Sequence, residues 1–87
     1  MNKRATKLYV DRVMSGDTKD YVEFMINPHQ TFFKVFIVLN EKELNEFMVE
    51  MYRQLKYAQN TTPREYKHLI DDSVKLCENY FSKKYLP

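Results

Sequence analysis

Between Glu41 and about Ala58, apolar residues recur at intervals of three and four: Leu44, Phe47, Met48, Met51, Tyr52, Leu55 and Ala58. Glu43, Glu46, Glu50 and Arg53 fall elsewhere on the wheel, which is the period of an amphipathic helix. From Pro63 to about Lys84 the pattern repeats. Tyr66, Leu69, Ile70, Val74, Cys77, Tyr80 and Phe81 oppose Lys67, Asp71, Lys75 and Glu78. Lys83 and Lys84 then sit where the negative end of a helix dipole favours cations.

The first half reads two ways. Thr31-Phe-Phe-Lys-Val-Phe-Ile-Val-Leu39 is rich in strand formers, and Asp20-Tyr-Val-Glu-Phe-Met-Ile26 could pair with it. The alternative fold is therefore α+β, with a three-stranded antiparallel meander over residues 5–39 followed by two helices. Periodicity favours helices. From Pro28, Gln30, Thr31 and Lys34 share one arc, while Phe32, Phe33, Val35, Phe36, Ile37 and Leu39 fill the remainder. From Thr18, Lys19, Asp20 and Glu23 oppose Tyr21, Val22, Phe24 and Met25. From Lys3 to Met14 the pattern is least clean: the polar arc holds Lys3, Arg4, Lys7 and Asp11, but Arg12 intrudes on the apolar side.

Cap spacing decides between the two. Asp17/Asp20, Asn27/Gln30, Asn40/Glu43 and Thr62/Glu65 each place a short polar residue three positions before a carboxylate or amide. In that spacing the two side chains can satisfy orphan N–H groups at a helix start, and a β-meander has no use for it. Pro28 and Pro63 follow two of the caps, where a missing N–H costs nothing. The expected fold is an all-α compact bundle of about five short-to-medium helices, a single domain over residues 1–87. The helix from Pro28 to Leu39, apolar over most of its circumference, is expected at its centre.

Composition narrows the functional classes. A chain of 87 residues buries only about 60–65% of the surface its unfolded form exposes, so its core is small. Seven Tyr and six Phe enlarge that core, and a single glycine leaves no phosphate-binding loop. Fourteen Lys and Arg against twelve Asp and Glu give a net charge of +2, too mild for a nucleic-acid face and of the wrong sign for a DNA mimic. One cysteine, no apolar leader and no span-length apolar run predict a soluble, cytoplasmic protein without membrane contact.

Candidate chemistry is sparse. Glu65, His68 and Asp72 share a helix face, but the paired carboxylate–histidine site that such spacing serves needs a second copy, which His29 does not supply. Cys77 lies about 13 Å along the helix axis from His68, beyond the reach of a thiolate–imidazole pair. Ser15 has no histidine near it in sequence to act as its base. No enzyme activity, cofactor or metal is expected. Some apolar residues lie off their helix stripes: Val10, Met14, Val38 and Val49. With Tyr52, Tyr57, Tyr80 and Tyr85 they are the candidate partner-binding residues, because exposed apolar patches and tyrosines mark interfaces. The expected function is a small protein–protein interaction module, acting as an adaptor, inhibitor or regulator, with self-association into a homodimer as the companion expectation. The alternative is a small nucleic-acid-associated regulator using Lys3, Arg4, Lys7, Lys83 and Lys84.

Overall fold

Five α-helices follow one another in the computed structural model, which describes residues 3–16 and 21–83: α1 (Lys3–Ser15), α2 (Tyr21–Ile26), α3 (Pro28–Phe36), α4 (Glu41–Thr61) and α5 (Lys67–Phe81). No strand occurs among the described residues, so the α+β meander is set aside. The fold is an all-α bundle.

The cap signatures behave differently from one another. At the start of α4 the box is complete: Asn40 Oδ1 accepts from the Glu43 N–H at 2.8 Å, and the Asn40 N–H donates to Glu43 Oε1 at 3.1 Å. At Asn27 the side chain makes no cap bond, and α3 starts on Pro28 with the Thr31 N–H donating to the Asn27 carbonyl at 2.9 Å. Thr62 does not open a helix. Its N–H donates to the Ala58 carbonyl at 2.9 Å, so it closes α4, and its backbone is extended at ψ 140°. The cause is Pro63, which disfavours helical geometry in the residue before it. A 3-10 turn over Arg64–Tyr66 then leads into α5, which begins at Lys67 instead of Pro63. The Asp17/Asp20 cap lies outside the described residues.

The two longest helices share the centre, since α5 packs against α2, α3 and α4. α4 buries Leu44, Phe47, Met48, Met51, Leu55 and Ala58, and packs against α1, α2 and α5. Around it lie Tyr9, Val10 and Val13 of α1, Phe24 of α2, Val35 of α3, and Ile70, Val74, Leu76, Cys77 and Tyr80 of α5. Burial of a large apolar side chain is worth about 1.5–3 kcal/mol, so this cluster is what holds the helices together.

The expectation that α3 sits centrally is corrected. Only Thr31 and Val35 are buried on it, with Phe32 and Leu39 packed half-buried against the core. Its nominally polar Thr31 faces inward, while Phe33, Phe36 and Ile37 face out. α3 has nine residues and packs on α1, α2 and α5 from one side. Among the described residues no further helix covers its other side.

A buried polar contact ties α4 to α1. Gln54 turns inward and its Nε2 donates to the Val13 carbonyl at 3.1 Å, while its Oε1 has no hydrogen-bond partner among the described residues. Val13 also accepts from the Gly16 N–H at 3.2 Å, where Gly16, at φ +73°, takes the left-handed turn that ends α1.

Candidate functional site

The last turn of α3 sets Phe33, Phe36 and Ile37 at i, i+3 and i+4, a spacing that places three side chains on one helix face. Phe33 is 62% exposed, Ile37 57% and Phe36 36%. Phe36 leans on Phe32, with ring centroids 5.9 Å apart, and Phe32 meets Tyr80 of α5 edge-on at 6.0 Å. Tyr80 contacts Phe81 at 5.3 Å, and Phe81 stands edge-on to Tyr52 of α4 at 5.6 Å. One line of aromatic rings therefore runs from α3 across α5 to α4, and the edge-to-face contacts from Phe32 onward hold the rings in place.

Beside this line a groove of about 720 Å³ opens between the end of α3, the first turn of α4 and the end of α5. Phe36, Leu39, Leu44, Tyr80 and Phe81 form its apolar wall, and Glu41, Lys42, Asn45 and Lys83 its polar rim. Two helix termini shape it. The Asn40/Glu43 box fixes where α4 begins. At the end of α5, the Ser82 N–H donates to the Glu78 carbonyl and the Lys83 N–H to the Tyr80 carbonyl, each at 3.0 Å. Lys83 adopts φ +57°, a left-handed conformation that favours glycine.

Behind the groove, the Tyr52 hydroxyl donates to Glu78 Oε2 at 3.3 Å. Burial, and then the neighbouring Glu78 charge, push the Tyr52 phenol above its ordinary pKa. The ammonium of Lys56 lies 5.9 Å from the same ring. A second, smaller recess of about 300 Å³ lies between α1 and α2, lined by Ala5, Leu8, Tyr9, Arg12 and Glu23. Arg12 and Glu23 approach to 3.9 Å across it.

The residues picked out from the sequence scatter. Val10 is 7% exposed and Tyr80 8%, so neither is a protruding anchor. Val10 packs inside because neighbouring helices cover the polar-leaning side of α1, and Tyr80 is a wall of the groove. Val38 and Tyr52 are half-buried, and Tyr52 reaches the site only through its contact with Phe81. Val49 is exposed one turn beyond Asn45 on α4, and Met14 is exposed at the end of α1. Tyr57 is exposed about three turns beyond Asn45 along α4, past Arg53, whose guanidinium binds Glu50 at 2.7 Å. Tyr85 and Lys84 lie outside the described residues. Lys3, Arg4 and Lys7 are exposed at the start of α1, while Lys83 borders a groove that no α1 residue lines.

Phe33, Phe36, Ile37 and Phe81 were all assignable to the core by periodicity, and the structure makes them the surface. The available signal was the width of the apolar arc on α3. A short helix that is apolar nearly all round cannot be enclosed by a bundle of this size.

Glu65, His68 and Asp72 are exposed, and no group of three His, Cys, Asp or Glu that could hold a metal occurs among the described residues. Cys77 is buried, and burial pushes its thiol up to about 12, leaving it protonated at neutral pH. The Ser15 hydroxyl donates to the Arg12 carbonyl at 2.7 Å, a helix-end contact. No described helix is long and apolar enough to cross a membrane. No protein-family model matches the chain, and comparisons with curated proteins and with solved structures return no match.

Proposed function

We propose that this chain is a non-enzymatic protein-binding module that acts on a partner as adaptor, inhibitor or regulator through the outer face of α3 and the groove beside it. The observation that carries this reading is the placement of Phe33, Phe36 and Ile37 together on one exposed face. Single exposed apolar residues are ordinary, but a contiguous set beside an apolar groove is what interfaces use. The aromatic line beneath restrains the groove wall, so little side-chain freedom remains to be lost on binding. A partner would be held by burying these side chains, and would act or be blocked according to which of its surfaces they cover.

Affinity capture from host lysate, comparing the unmodified chain with Phe33→Asp/Ile37→Asp, tests this reading. A partner retained by the first and lost by the second supports it, provided both give the same helical circular dichroism. Identical captured sets from the two baits would refute it.

A nucleic-acid role for the start of α1 has one observation behind it. Lys3, Arg4 and Lys7 are all exposed, and the first turn contains no acid to balance them. If they grip phosphates, heparin retention falls steeply with salt, and neutralising the three residues flattens that dependence. Retention unchanged by the triple substitution would end this second reading.

A further inference from the structure

Resting on the protein-binding reading of this face, we propose that its occupant is a second copy of the chain, joined about a two-fold axis that passes beside Phe36. A two-fold contact uses the same patch twice, so the patch must carry a projection and a matching hollow on opposite sides of the axis. Around α3, at about 100° per residue, Phe32, Phe36, Phe33 and Ile37 follow in that order from the edge of the buried Thr31–Val35 side, with Phe33 opposite that side. Phe36 lies on the flank and lines the groove, whereas Phe33 and Ile37 project into solvent beyond it. Ridge and groove thus adjoin, with Phe36 between them. A half-turn about Phe36 lays the Phe33–Ile37 ridge of each copy over the groove of the other and sets the two Phe36 rings together at the axis.

Volume and charge agree with this occupant. The groove, of about 720 Å³, has room for large apolar side chains. Its rim carries both signs, with Glu41 against Lys42 and Lys83. A rim of one sign would select an oppositely charged partner, whereas a mixed rim can pair with its own copy. The net charge of +2 per chain opposes association only weakly. The face is smaller than the about 20–30 residues per side of a standard interface, so the dimer is a weak, reversible one.

Sedimentation equilibrium of the full chain, from about 1 µM to about 1 mM, tests the proposal. It predicts a reversible monomer–dimer equilibrium in that range. Phe33→Asp and Ile37→Asp should each weaken it at least about tenfold, as expected for a central apolar anchor. Tyr57→Asp, about three turns along α4 from the groove, should leave it unchanged. Phe36→Cys should join two copies through a short bismaleimide, because the native Cys77 is buried and its thiol protonated. A monomer across the whole range would overturn the proposal, as would a dimer indifferent to both α3 substitutions. The protein-binding reading fails separately. If the chain is monomeric but lysate capture still depends on Phe33 and Ile37, the face binds a different protein and only the second copy is excluded.

Discussion

Replacing Gln54 by methionine should stabilise the protein, although it deletes a side-chain hydrogen bond from α4 to α1. Gln54 is 8% exposed, and methionine has a similar length and the flexibility to fill the same space. The lost bond, from Nε2 to the Val13 carbonyl, is neutral and worth about 0.5–1.5 kcal/mol. Val13 keeps a partner in the Gly16 N–H, so no new orphan is made. Against this, the substitution removes Oε1, whose burial without a partner costs about 1–3 kcal/mol. The balance is a gain of about 1 kcal/mol, which in a domain of this size raises Tm by about 4–8 °C. Thermal and urea unfolding followed by circular dichroism read it directly. A loss of more than about 1 kcal/mol would mean that Oε1 is satisfied, refuting the reasoning. Gln54→Glu gives the opposite sign, because it puts a carboxylate oxygen against the Val13 carbonyl in an apolar setting. Burial raises a carboxyl pKa, so the deficit should open as pH rises through the unfolded value of about 4.3 and level off above the folded one. Below that window the protonated carboxyl can donate to Val13 as the amide does. A deficit unchanged down to pH 3 would contradict this account.

Other outcomes follow from the helix ends and the buried thiol. Asn40→Ala should cost about 1 kcal/mol in urea unfolding, whereas Asn27→Ala, which removes no cap bond, should cost less than about 0.5; equal losses would contradict the difference seen at the two caps. Lys83→Gly relieves a left-handed backbone and should stabilise by about 1 kcal/mol, less a few tenths for the charge lost near the end of α5; a net loss would show that the lysine side chain matters more than its backbone. Cys77 should resist maleimide in the native protein at pH 7–8 and react on unfolding in urea, because burial pushes its thiol up to about 12; fast native labelling would contradict its placement.

Existence and type of the helices were legible in the sequence because they depend on local pattern. α4 and α5 carry clear periodicity, and the Asn40/Glu43 spacing forms the box it implies. The Thr62/Glu65 spacing is the same on paper, but Pro63 held Thr62 extended and turned a start signal into a stop. Periodicity shows which side of a helix is apolar without showing whether anything covers it. Val10 and Tyr80 looked peripheral or projecting, and tertiary packing buried both. Phe33 and Ile37 looked like core, and the one-sided packing of a nine-residue helix left them outside. Gln54 is a polar residue within the apolar stripe of α4, but its partner, the Val13 carbonyl 41 residues away in sequence, is set only by the meeting of two helices.

That the outer face of α3 is where protein binds can be read in one photo-crosslinking measurement. With p-benzoyl-phenylalanine in place of Phe33, irradiation in host lysate should give a discrete adduct, either to a second copy or to another protein. The same group in place of Tyr57 should give none. No adduct from position 33, or equal adducts from both positions, would contradict the claim.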